Sequence, residues 1–303
     1  MNPMEDLIAK AEVLVESLPY IRKFSGKTFV IKYGGQAMIN EELKNKVMVD
    51  LIMLKYIGIN PILVHGGGKE ITEWSKKIGL KTQFIQGLRV TDAETMELAE
   101  MVLMGKVNRE IVSKINRLGG KAVGLNGRDA NLLVTHRLPP EKIMVDGKIE
   151  KADLGFVGGV YKVNTDILES LISQDYIPIV SSIGISEQGD DAFNINADSV
   201  AGELAAALKA EKLILLTDVE AISDGNGNGD GGSGNRISRL DRETADRMMA
   251  DGRINSGMIP KVKACLKALD SGVSRTHIID GRIDHALLLE IFTDKGIGTM
   301  VVQ

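Results

Sequence analysis

TFVIKYGG, residues 28–35, and PILVHGGG, residues 61–68, are two apolar runs of strand length, each closed by consecutive glycines. Between them Leu43, Val47, Leu51 and Leu54 recur at the spacing of one helical face over 42–57. A buried-type strand, a helix and a second buried-type strand predict a parallel sheet with helices over both faces. Working outward, the same alternation continues. Residues 69–78 are expected as a helix stopped by Gly79, and 92–117 as a longer helix with a break near Gly105. Strands are expected at 121–127 and 131–138, a hairpin and loop over 144–163, a helix over 164–175 and a strand at 177–184. Within 194–210 a helix starts at Asn196 or Asp198, followed by the uninterrupted apolar strand 212–218. Helices at 241–251, 260–271 and 284–291 and strands at 276–281 and 298–303 complete the pattern. Upstream, Leu7, Ala11, Leu14 and Leu18 mark a helix over 5–18 that Pro19 is expected to end. That helix packs either on its own domain or on a second subunit.

The chain has 303 residues, 44% hydrophobic and 26% charged, which is globular composition and enough for two lobes or one large α/β unit. The net charge of −4 argues against nucleic acid as the main partner. No apolar run reaches the length of a membrane span. Glu5, Asp6, Glu12 and Glu16 are foreign to a signal peptide, and the single cysteine, Cys265, excludes a disulfide framework or a multi-cysteine zinc site. A cytoplasmic protein is expected. The 33 glycines cluster after apolar runs, where bare backbone can approach a ligand.

Several motif fragments do not survive inspection. SGKT (25–28) has Ile21 where a P-loop needs its first glycine, and it precedes a strand instead of following one. DGNGNGDGGSGN (224–235) yields GxGxxG matches by glycine content alone, and as a calcium loop it ends on Asn235 in place of the bidentate glutamate. None of His65, His136, His277 and His285 belongs to a zinc motif, so no protein-bound metal is expected, and His65 is best taken as a satisfied structural histidine.

Other segments point to chemistry. Lys32 lies in an apolar strand at the sheet edge where open α/β sheets bind ligands, and Gly34 and Gly35 behind it leave backbone N–H groups free for phosphate. Gly66, Gly67 and Gly68 precede a helix beginning near Lys69, an arrangement suited to an anion. GLRVT (87–91) sets Arg89 in a loop as a carboxylate clamp or as a solvated arginine. NINADS (194–199) carries Asn194, Asn196 and Asp198 at alternate positions, more than one helix cap needs. GMIPKV (257–262) puts Lys261 near a helix N-terminus, where a cation opposes the macrodipole unless an anion is bound.

Together, KYGG (32–35), HGGG (65–68), GLRVT (87–91), VSSIG (180–184), NINADS (194–199), LLTDV (215–219) and GMIPKV (257–262) resemble the amino acid kinase family, in order and spacing over nearly the whole chain. HGGG with GLRVT, NINAD and GMIPKV is similar to its branch acting on N-acetyl-L-glutamate. The resemblance implies an αβα sandwich with a mainly parallel central sheet. Its expected parts are an N-terminal helical extension (1–24), an amino-acid-substrate and dimerisation lobe (25–195) and a nucleotide lobe (196–303).

The resemblance further implies transfer of the ATP γ-phosphoryl to the γ-carboxylate of N-acetyl-L-glutamate, with Mg²⁺ arriving on ATP. Lys32 and Lys261 would stabilise the transferring phosphoryl, with Asp198 holding both. Gly67, Gly68, Arg89 and Asn194 would bind the acceptor, and Gly34, Gly35, Thr217 and Asp218 the nucleotide. Ala221 stands where the family has glycine, beside the unusual loop 224–235. HIIDG (277–281), LLLEIF (287–292) and DKGIGT (294–299) are similar to the family's arginine site, with Tyr20, His277, Glu290 and Gly296 as its lining. With the N-terminal helix, that implies an arginine-inhibited hexamer, a trimer of dimers, and a PII-type nitrogen-signalling protein is a candidate partner. The rivals are a family kinase for glutamate, aspartate, carbamate or UMP, a non-catalytic arginine sensor, and a nicotinamide oxidoreductase. The last lacks GxGxxG at the first strand–helix turn.

Overall fold

A computed structural model describes residues 3–85, 87–145, 148–218, 222–223, 236–254, 257–293 and 296–303. Ala221 and the loop 224–235 lie outside the described residues, as do Asp294 and Lys295.

In the first half of the chain the elements are α1 (Pro3–Phe24), β1 (Thr28–Tyr33), α2 (Glu41–Tyr56), β2 (Asn60–His65), α3 (Gly68–Ile78), β3 (Phe84–Ile85), β4 (Leu88–Arg89), α4 (Ala93–Glu100), α5 (Arg109–Arg117), β5 (Ala122–Leu125) and β6 (Leu133–Arg137). The hairpin β7 (Glu141–Val145) and β8 (Lys148–Ala152) leads to β9 (Gly158–Val163), α6 (Asp166–Ser173), β10 (Ile177–Ser181), β11 (Ile183–Ser186) and β12 (Ala192–Asn194). The last third holds α7 (Ala197–Ala207), β13 (Lys212–Thr217), β14 (Arg239–Leu240), α8 (Arg242–Ala250), α9 (Ile259–Asp270), β15 (Arg275–Asp280), α10 (Ala286–Phe292) and β16 (Thr299–Val301).

Eight strands form the main sheet in the order β14-β16-β15-β13-β1-β2-β10-β5, parallel at every pair but β15–β16. Phe29 and Ile31 of β1 point into one apolar layer and Val30 into the other, so both faces of the sheet are buried. This is the expected α/β architecture. Strands from the last third occupy one half of the sheet, and they meet the first half where β13 pairs with β1. The outer edge at β5 is blunted by Asn116, whose side-chain oxygen accepts from the Ala122 N–H at 2.7 Å.

Four local expectations are corrected. Pro19 does not end α1; the helix runs through it to Phe24. Proline removes one hydrogen bond, to the carbonyl of Val15, and that residue is exposed, so water can serve the carbonyl. The break near Gly105 is a π-helical stretch, Met101–Asn108, that joins α4 to α5 without a gap. The apolar run 177–184 is two strands: Ser182 hands the chain from the main sheet to a second one, ordered β12-β11-β6-β9. β9 of that sheet falls inside the stretch expected as hairpin and loop, where its glycines weaken strand propensity.

Candidate active site and a second cavity

Asp198 stands at the centre of a cleft at the carboxyl ends of β1 and β2. Asn196 caps α7, accepting from the N–H groups of Asp198 and Ser199, so the Asp198 carboxylate is free of capping duty. Its Oδ1 lies 3.1 Å from Lys32 Nζ, and its Oδ2 accepts from Lys261 Nζ at 2.7 Å. Lys32 comes from β1 and Lys261 from the first turn of α9, which opens with Pro260. Burial pulls the Lys32 ammonium below its ordinary value, and Asp198 opposes that pull. Burial pushes the Asp198 carboxyl up, and Lys32 with Lys261 more than reverses it. Asp198 thus sits between two lysines in a buried site of low dielectric.

Glycine turns form the walls. The cleft, about 540 Å³, is lined by Lys32, Gly34, Gly35, Gly67, Gly68 and Asp198 among others. Gly35 has φ +70°, and a Cβ there would lie 1.9 Å from an Asp218 carboxylate oxygen. A Cβ on Gly67 would lie 2.5 Å from Leu103 of the π-helical stretch. No side chain caps the N-terminus of α3, so its first amides are open to an anion. Asp218 and the buried Thr217 close the carboxyl end of β13, and Lys69 Nζ is 4.0 Å from Asp218 Oδ2.

Gly67 and Gly68 also line an adjoining cavity of about 600 Å³ with Arg89 and Asn194. Arg89 lies on β4 and not in a loop, and it is buried. Its Nη2 donates to the Gly68 carbonyl and to Thr72 Oγ1, each at 2.7 Å, and its guanidinium stacks over Phe84. Its Nη1 is buried without a partner, an unspent donor suited to a carboxylate.

A second cavity, of about 960 Å³, lies where the end of α1 meets β15 and α10. Tyr20, His277, Glu290 and Gly296 all line it. His277 Nδ1 is 2.6 Å from Glu290 Oε1, whose other oxygen accepts from the Ile297 N–H at 2.8 Å. Burial raises the Glu290 carboxyl, but His277 and the Ile297 amide bring it below its usual value.

The amino acid kinase family model matches residues 27–280. The chain belongs to the amino acid kinase family. Among curated relatives of this amino acid kinase are the acetylglutamate kinase of Caldanaerobacter subterraneus subsp. tengcongensis, 53% identical over 98% of this chain and 94% of that one. The acetylglutamate kinase of Caldicellulosiruptor saccharolyticus is 54% identical, with 98% of each chain covered. Among solved structures, the N-acetylglutamate synthase of Neisseria gonorrhoeae, complexed with coenzyme A and N-acetyl-glutamate, superposes with a TM-score of 0.80 at 27% identity. That match covers 97% of this kinase, which spans 63% of the synthase chain. The same synthase complexed with coenzyme A and L-arginine matches with a TM-score of 0.77 at 25% identity, over 96% of this chain and 65% of that one.

The kinase fold thus brings together each group of residues singled out in the sequence. Two lining residues went unnoticed there. Lys212 lines the second cavity; burial lowers its ammonium to about 8, and it lies over the Phe24 ring of α1. Its place at the start of a buried strand was the available signal. Ser182, in the cavity beside Arg89, had only its position within an apolar run to mark it.

Proposed function

We infer that this amino acid kinase is an acetylglutamate kinase: it phosphorylates the γ-carboxylate of N-acetyl-L-glutamate with ATP, giving N-acetyl-L-glutamyl 5-phosphate in arginine synthesis. The observation that carries this is Asp198 bridging Lys32 and Lys261 in a glycine-walled cleft that opens into the Arg89 cavity. A carboxylate oxygen attacks the γ-phosphorus, and the bond to the ADP oxygen breaks. The acceptor is already ionised, so no general base is needed, and positioning with charge neutralisation carries catalysis. Lys32 and Lys261 face the charge on the transferring phosphoryl, and Asp198 holds both ammonium groups in place. Arg89 and Asn194 hold the acceptor through its non-reacting end, and the amides of Gly67 and Gly68 meet the reacting one. Gly34 and Gly35 meet the nucleotide phosphates, with Thr217 and Asp218 beside them. Mg²⁺ arrives on ATP and offsets phosphate charge; both Asp198 oxygens are already engaged by ammonium groups.

Residues 25–195 serve as the acceptor and dimerisation lobe and 196–303 as the nucleotide lobe, with 1–24 as an extension. L-Arginine occupies the second cavity: Glu290 takes its guanidinium, Tyr20, His277 and Gly296 line it, and the neighbouring cations Lys212, Arg239 and Arg275 suit its carboxylate. Leu7, Val13, Leu14 and Val15 of α1 are more than half exposed, which supports a hexameric trimer of dimers joined through this helix. A PII-type protein as a further partner and a cytoplasmic location accord with this biosynthetic role.

A coupled ADP-release assay with N-acetyl-L-glutamate, glutamate, aspartate, carbamate and UMP tests the assignment. Turnover on the acetylated substrate is expected; turnover on another acceptor alone replaces it.

A further inference from the structure

Beneath the glycine turn runs a buried hydrogen-bond chain that the transfer of phosphoryl does not itself require. His65, the last residue of β2, is fully buried, as is Asn108, the last residue of the π-helical stretch. Asn108 Nδ2 lies 2.9 Å from the Ile179 carbonyl and 3.0 Å from His65 Nε2, and His65 Nδ1 lies 2.9 Å from the Gly66 carbonyl. The Ile179 carbonyl can only accept, so it fixes which end of the Asn108 amide faces it. The same nitrogen then donates to Nε2, which leaves the imidazole proton on Nδ1, aimed at the Gly66 oxygen. Burial lowers the His65 imidazole to about 4, so it is neutral and holds a single tautomer. Its in-register strand neighbours are Tyr33 and Ser181, and no charged group is among the causes of that shift.

In a trans peptide the carbonyl and the following N–H point in opposite directions. Tying the Gly66 carbonyl back to His65 therefore turns the Gly67 N–H away from the core, and Gly67 lines both the phosphoryl cleft and the acceptor cavity. We propose that Asn108 and His65 are positioning residues: through the imidazole tautomer they aim the Gly67 N–H at the reacting carboxylate and the phosphoryl oxygen it meets. This rests on the acetylglutamate kinase assignment. The π-helical geometry contributes twice, since the same stretch sets Leu103 under Gly67 and Asn108 under His65.

The test combines kinetics with a spectroscopic signature. In wild-type protein, ¹⁵N shifts of His65 should show a protonated Nδ1 and an unprotonated Nε2; the opposite tautomer overturns the proposal. His65→Leu removes the donor to Gly66, and kcat should fall about 100-fold, as when one pre-aimed donor is lost, with KM for ATP little changed. His65→Asn, whose amide nitrogen reaches the place of Nδ1, should recover most of that loss. Asn108→Asp, when ionised, can only accept, so it draws a proton to Nε2; Gly66 then regains its donor only on the doubly protonated ring. Its kcat should rise as pH falls, unlike wild type. Folded Asn108→Asp with wild-type kcat and pH profile, or folded His65→Leu with kcat within about threefold of wild type, overturns the proposal. If His65→Leu does not fold, the tautomer and the Asn108→Asp profile decide. A wild-type protein inert toward N-acetyl-L-glutamate overturns the assigned activity instead, and the tautomer then still reports on the hydrogen-bond chain.

Discussion

Lys261 Nζ donates to Asp198 Oδ2 at 2.7 Å, a contact that joins the first turn of α9 to the first turn of α7 across 63 positions of sequence. Because Lys32 takes the other carboxylate oxygen, the three charges are one unit, and removing any member exposes the others. Lys32→Ala and Lys261→Ala should each lower kcat by about 100-fold or more while KM for ATP changes little, as expected of groups proposed to act on transition-state charge. Steady-state kinetics of either variant at near wild-type turnover would refute the assignment.

Asp198→Asn leaves two ammonium groups buried without their counter-ion. The variant should lose most of its turnover and unfold at lower temperature at neutral pH, by the several kcal/mol expected when one partner is taken from a buried pair. In wild type the Asp198 carboxyl is held below its usual value, so its contribution is present above the unfolded-state carboxyl range and is lost as pH falls through the folded value. Denaturation followed across acid pH for both proteins should therefore show the gap narrowing as pH falls.

Arg89→Lys keeps the charge but loses the planar fork that holds Gly68 and Thr72 and leaves Nη1 for the ligand. KM for N-acetyl-L-glutamate should rise about tenfold or more, on the scale of one charge-assisted hydrogen bond, with a smaller effect on kcat. An unchanged KM removes Arg89 from the acceptor site.

In the second cavity, burial disfavours the charged form of Lys212 and lowers its ammonium to about 8. In the proposed arginine site the ligand's carboxylate relies on that charge, so as pH rises through about 8 the half-inhibiting arginine concentration should increase. Lys212→Met should weaken inhibition at neutral pH and flatten this dependence. Inhibition curves that are parallel for the two proteins at every pH would contradict it.

The N-terminal helix offers a clean truncation. Phe24 is 3% exposed and meets Phe29 edge-on, and Tyr20 meets Phe292 in the same way, so this end of α1 belongs to the core. Deleting residues 1–16 removes exposed apolar surface and spares both aromatics. The product should keep its turnover, form a smaller oligomer by light scattering and respond less to arginine. A full-length protein already dimeric and insensitive to millimolar arginine would remove this helix from regulation.

The strands at 28–35, 61–68 and 212–218 were legible because a parallel strand buried on both faces has to be apolar throughout, and its turn residues follow at once. The π-helical stretch was visible only as a suspected break at Gly105, since apolar spacing does not separate a helix with one wide turn from a helix that stops. Pro19 misled for a similar reason: its cost depends on whether the carbonyl it leaves unpaired is exposed, and that is a property of the surroundings.

For the site, the sequence determined which residue types were available and at which strand ends, since glycines, Lys32 and Lys261 stand out against local requirements. It did not determine that Asp198 lies between those lysines, nor that Arg89 keeps one nitrogen unspent. Those are distances between segments far apart in the chain, set by how β1, β2, α7 and α9 pack. The Asn108–His65–Gly66 chain makes the point most sharply. Each member alone is an ordinary buried polar residue, and only the fold, by pointing the Ile179 carbonyl at Asn108, decides where the imidazole proton sits.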